Sequence, residues 1–90
     1  MEPHKPHDQL KQEITTAGQQ IKIGGNYAHY KSADKVYRPL YFATLEANDE
    51  LCVVYQAQYG DKLYFVRPVA EWLETVEWQG KRLKRFTPET

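Results

Sequence analysis

The spacing of apolar residues changes along the chain, and each change predicts a different element. Between Asp8 and Gly18, Leu10, Ile14 and Ala17 fall at i, i+4 and i+7, one face of a helix. Asp8 suits an N-cap and Gly18 a stop, so the pattern predicts one short helix, weakened by the β-branched run Ile14-Thr15-Thr16. From Ile21 the period falls to two, the signature of a strand with one buried face. Ile21 and Ile23 alternate with Lys22, Gly24-Gly25 interrupts, and Asn26 to Lys31 resumes the alternation. There Tyr27, His29 and Lys31 share one face, and Ala28 and Tyr30 the other.

Ser32 to Lys35 reads as a polar turn and Val36 to Leu45 as a longer strand. Pro39 has no amide hydrogen for a ladder, so that strand is an edge there or is bulged. After the charged loop Glu46 to Glu50, Leu51 to Gln58 and Leu63 to Arg67 flank a tight Tyr59-Gly60-Asp61-Lys62 turn, and Pro68 ends the second run. Val69, Trp72 and Leu73 at i, i+3 and i+4 predict one helical turn within residues 69–74. Thr75 to Trp78 and Arg82 to Phe86 pair across Gln79-Gly80-Lys81. Five to six short strands with a short N-terminal helix predict a mainly β chain closing as a small barrel over residues 21–88. Residues 1–20 form an N-terminal extension, in which the proline-rich lead-in Met1 to His7 is expected to be disordered.

Composition narrows the use of such a barrel. Aromatic residues make up 13% of the 90, seven of them tyrosines, so apolar area sits in a few large side chains whose hydroxyls need partners. Twelve basic and twelve acidic residues give zero net charge, which removes the broad electrostatic argument for a nucleic-acid binder. The single cysteine, Cys52, lies in an apolar run and reads as a small buried hydrophobe. No run approaches the ~20 apolar residues of a membrane helix, so a cytoplasmic, monomeric protein without membrane contact is expected.

The run Gly25-Asn26-Tyr27-Ala28-His29-Tyr30-Lys31 resembles the opening of the bacterial DUF1653 family. Further motif positions follow in order: Glu50-Leu51, Val53-Val54-Tyr55, Tyr59-Gly60-Asp61, Val66-Arg67-Pro68, Gly80-Lys81 and Arg85-Phe86. The resemblance covers about residues 21–88 and implies an SH3-like β-barrel, with no established biochemical activity. The chain departs from the family pattern at Arg38-Pro39, in the second strand.

Catalysis needs a nucleophile with a base in reach, paired carboxylates or a metal cluster. His4 and His7 stand three apart beside Pro6 with no further ligand, Asp61 reads as turn chemistry, and only Cys52 with His29 offers a thiol–imidazole pair. A non-enzymatic chain with no cofactor or metal is therefore expected. Tyr, Trp and Arg dominate interface energies, so the candidate binding residues are His29, Tyr30, Tyr55, Tyr59, Arg67 and Trp72. Tyr30 and Tyr55 read first as core or core-edge residues and Trp72 as a barrel plug; Tyr59 and Arg67 are the least explained by folding. The favoured reading is a module that takes a protein or peptide partner. The alternative is nucleic-acid or nucleotide binding, with bases stacked on tyrosines and phosphates met by Arg67 and by Lys81, Arg82, Lys84 and Arg85.

Overall fold

The computed structural model describes residues 4–89. Its elements are α1 (His7–Gln20), β1 (Tyr27–His29), β2 (Ser32–Leu45), β3 (Glu50–Ala57), β4 (Tyr64–Pro68), α2 (Val69–Trp72), β5 (Thr75–Trp78), β6 (Lys81–Lys84) and β7 (Phe86–Pro88). Five strands form one antiparallel sheet in the order β4-β3-β2-β1-β7, and β5-β6 is a separate hairpin. Among the described residues the sheet is open, with β4 and β7 as its two edges. The fold is thus mainly β, in antiparallel sheets, with an N-terminal helix and one short helix.

Alternation decides which face is the core. On β3, Val53, Tyr55 and Ala57 are buried on one face, and each faces a residue of β2 or β4 directly across the ladder. Tyr27 from β1, Phe86 from β7, and Val69 and Trp72 from α2 complete the cluster, and Ala17 and Ile21 close it from the helix side. Trp72 is 2% exposed and stacks on Phe86 with ring centroids 3.8 Å apart. Each such large side chain contributes about 1.5–3 kcal/mol through burial.

Several boundaries differ from the sequence expectation, each for a local reason. The helix begins at His7, with Pro6 rather than Asp8 at its cap; the Pro6 carbonyl accepts from the amides of Gln9 and Leu10. It runs through Gly18 to Gln20, because buried Ile21 pulls the chain inward and its amide still closes on Ala17 at 2.8 Å. Ile14 stays exposed, so the helix anchors through Ala17. β2 already starts at Ser32, since the β1–β2 ladder shifts register between Ala28 and His29 and the turn moves to Tyr30-Lys31. Pro39 sits at a bulge inside a central strand, not at an edge.

The run expected as one strand over 82–86 is two. The Arg85 amide leaves the hairpin to donate to Glu74, the Arg85 carbonyl accepts from Tyr30, and Phe86 begins a strand against β1. Residues 1–3 of the expected lead-in lie outside the described residues. From His4 on the lead-in is held, not free: His4 Nδ1 lies 2.7 Å from Asp49 Oδ1, and the Lys5 amide donates to Asp49 Oδ2 at 2.6 Å. Among the described residues no helix is long and apolar enough to cross a membrane.

Candidate functional site

Opposed residues of an antiparallel ladder share a face, and the register of this sheet gathers one aromatic set on a single side. Tyr55 faces Phe65, Val53 faces Arg67, and His29 faces Phe86. Together with Tyr37 the ring-bearing members and Arg67 line an open cleft of about 200 Å³. Its rings meet edge to face: Tyr37–Tyr55 at 5.7 Å, Tyr37–Phe86 at 5.8 Å and His29–Phe86 at 5.3 Å between centroids. Such contacts hold the walls of the cleft in place.

Arg67 brings the charge. Its guanidinium lies 5.9 Å from the centroid of Phe86, and its Nη1 is 3.2 Å from Glu71 Oε1, an i,i+4 pair with a half-exposed carboxylate. The Arg67 Nε is shut away from solvent and has no acceptor among the described residues. An unsatisfied buried donor costs about 1–3 kcal/mol, so the sheet holds this group against a penalty.

His29 adds a second donor. Its pKa is lowered from the ordinary value, first by burial and then by the charges of Arg67, Arg85 and Lys31, so the ring is neutral near pH 7. The Lys31 amide donates to His29 Nδ1 at 3.2 Å, which leaves Nε2 as the protonated nitrogen. On the rim, the hydroxyls of Tyr37 and Tyr59 hydrogen-bond to each other. Burial and that bond push the Tyr37 hydroxyl up to about 12, so it stays protonated. Lys35 covers the Tyr59 ring at 5.3 Å.

The cleft is thus a set of donors between aromatic walls. It has no nucleophile paired with a base. Cys52 sits on β3 between Leu51 and Val53, on the face away from Val53 and Tyr55, and its thiol is pushed up by burial. The thiol–imidazole pair with His29 does not form. Asp61 lies in the β3–β4 turn, beside Gly60 at φ 57°.

Of the residues singled out in the sequence, His29, Tyr55 and Arg67 line the cleft together, and Tyr59 joins through Tyr37. Tyr30 lies tilted against His29 at 4.6 Å between centroids but belongs to a neighbouring group: Trp78 at 5.6 Å, with Lys31 and Arg85 near the Tyr30 ring. Trp72 is core. Lys81, Arg82 and Lys84 are exposed on the hairpin, with Glu77 directly opposite Arg82. Arg85 is engaged by the Glu71 carbonyl at 3.1 Å and the Glu74 carboxylate at 2.9 Å.

Sequence reasoning missed Tyr37, Phe65, Phe86 and Trp78 as site residues. Phe65 was within reach, two positions before Arg67 on the same strand face. Phe86 was not, because it enters through a strand that the local pattern hides.

A family profile described as "Protein of unknown function (DUF1653)" matches residues 25–88. The chain is similar to a solved structure described as a crystal structure of a DUF1653 protein from Bordetella bronchiseptica. That match has 31% identity, covers 76% of this chain and 87% of that one, and has a TM-score of 0.64. No curated protein matches.

Proposed function

The chain belongs to the DUF1653 family, whose description assigns no function, and from that premise we propose a non-catalytic binding module whose cleft takes an acidic group of a protein or peptide partner. One observation carries this reading: Arg67 lines the open cleft between aromatic walls, where its guanidinium meets one half-exposed carboxylate, Glu71. A carboxylate there accepts a charge-assisted hydrogen bond, which is stronger than a neutral one and strengthened further where water is excluded. Glu71, half exposed, contributes little as an ion pair and holds the guanidinium in place when the cleft is free.

Size argues for an anchor rather than a whole small molecule. The cleft of about 200 Å³ falls below the ~300 Å³ at which ligand pockets begin, and it matches one side chain. The strand order, with α2 leading away from edge strand β4, supports reading the sheet as an SH3-like barrel with this cleft at its mouth. A second reading, nucleotide or single-stranded nucleic acid, is favoured by Lys31 lying 5.8 Å from both the Tyr30 and the Trp78 ring. Against it stand the zero net charge and the engagement of Arg85.

Titration with short glutamate-containing peptides, against their glutamine counterparts, tests the proposal. The expected result is amide shifts at His29, Phe65 and Arg67 for the acidic set alone, abolished by Arg67→Met in a protein of unchanged stability. Shifts around Tyr30, Trp78 and Lys81 with an oligonucleotide, lost as salt rises, support the second reading instead. No response at Arg67 to any acidic peptide overturns the first.

A further inference from the structure

The two edges of the sheet are built differently. β7 is three residues long and ends in Pro88, a common way of blocking an edge against further pairing. β4 is longer, and its sheet neighbour is β3 alone. Tyr64 and Val66 on it are 67% and 64% exposed, and Tyr41 and Val54 continue the same row across β2 and β3. An exposed apolar edge of this kind is a template for another strand.

The hydrogen-bond phase of β4 says which strand fits. The Ala57 amide donates to the Leu63 carbonyl, so residue 63 turns its peptide groups toward β3, and residues 65 and 67 follow by alternation. Tyr64 and Val66 therefore turn both N–H and C=O outward. Pro68 falls on the same outward phase, where its missing N–H leaves no gap in the β3 ladder.

We propose that β4 pairs with β4 of a second copy of this chain, antiparallel about a two-fold axis at Phe65, joining two sheets into one. In that register Tyr64 lies opposite Val66 of the second copy and the reverse, so all four outward N–H groups find carbonyls and none depends on Pro68. The Tyr64–Val66 pairs are aromatic against β-branched, a favourable cross-strand combination on the outer face. The two Phe65 rings meet on the cleft face. Arg67 faces Leu63 and Lys62 faces Pro68, so no like charges oppose one another across the seam. A slip of one residue would set Lys62 against Arg67 and move Tyr64 and Val66 out of phase with their acceptors. The interface is isologous, with the same residues on both copies.

Sedimentation of the full chain over a range of concentrations tests this. The expected mass rises from that of the 10.6 kDa chain toward its double as concentration increases. Val66→Lys and Tyr64→Glu each weaken the dimer by about tenfold or more, the scale set by losing both cross-strand pairs. Both sites are exposed, so folding is retained and far-ultraviolet circular dichroism stays unchanged. Mixing the two variants restores a heterodimer, because the lysine introduced by Val66→Lys then faces the glutamate introduced by Tyr64→Glu. Only the proposed register brings those two together. The amides of Tyr64 and Val66 gain exchange protection with concentration. A chain that stays monomeric throughout, or a dimer indifferent to Val66→Lys, overturns the proposal. Arg67→Met leaves the dimer intact, so failure here is separate from failure of the cleft.

Discussion

Phe86 belongs to two environments that are made of the same residue types and do different things. Toward the core it stacks on Trp72 at an interplanar angle of 10°, with Tyr27 and Tyr55 edge-on to that indole at 5.4 and 5.0 Å. Toward the cleft it meets Tyr37, His29 and the guanidinium of Arg67. The core group is closed and its polar atoms are few. The cleft group is open, and it contains a charge that the fold only partly satisfies. Aromatic content therefore does not separate the two groups in this chain; an unsatisfied donor among aromatics does.

The contrast between core and cleft is sharpest under truncation. Trp72→Ala removes the largest fully buried side chain among the described residues and leaves a cavity between Phe86, Tyr27 and Tyr55, at a cost of about 3–5 kcal/mol. For a domain of this size that is a large share of total stability. Arg67→Met, which keeps the apolar stem against Phe86, is expected to change stability by less than ~1 kcal/mol, because the lost Glu71 pair is exposed and the unsatisfied Nε is removed with it. Urea denaturation of both variants checks this. Equal losses would mean that the cleft is core by another name.

Much of this division was legible in the sequence, and the rest was hidden for identifiable reasons. Val53 and Tyr55 alternate in plain view, and Thr75–Trp78 forms as its pattern reads. The helical turn after Pro68 is also where Val69 and Trp72 predicted it. What no local pattern shows is that Arg85 breaks a continuous-looking strand. The break comes from hydrogen bonds to Glu74 and Tyr30, far apart in sequence, and it takes Phe86 out of the hairpin and into a strand against β1. The docking of His4 on Asp49 was hidden in the same way, since its partner lies in the β2–β3 turn. Arg67 was legible as a misfit, a permanent charge in an apolar strand, but the walls around it come from β1, β2, β3 and β7.

A smaller change sharpens the contrast at the rim. Tyr59→Phe deletes one hydroxyl and keeps the ring under Lys35. It removes the bond that, after burial, does most to hold the Tyr37 hydroxyl at about 12. The expected loss is about 1 kcal/mol, with the Tyr37 ionisation moving back toward the ordinary tyrosine range. Ultraviolet titration of the phenols and a denaturation curve read the two effects separately. An unmoved Tyr37 would show that burial alone sets its value.

The smallest effect contrasts two histidines. His29, in the cleft, has a pKa lowered by burial and by Arg67, Arg85 and Lys31. His4, on the surface, has its pKa raised by its hydrogen bond to Asp49, by the charge of Asp49, and to a lesser degree by Glu46. A lowered histidine binds its proton less well folded than unfolded, so its contribution is fully present above 6.5 and is lost as pH falls through the folded value. A raised one works the other way: its contribution is fully present below 6.5 and is lost as pH rises through the folded value. The two should bend the stability curve in opposite directions on either side of that point. Proton resonances of the imidazoles are expected to titrate below 6.5 for His29 and above it for His4. His29→Gln should flatten the limb just below 6.5, and His4→Gln the neutral limb, with a second change at lower pH because the His4 hydrogen bond is also what chiefly lowers the Asp49 pKa. Occupying the cleft with an acidic peptide should raise the His29 value while leaving His4 where it was, because a carboxylate beside Arg67 offsets the positive field that lowers it.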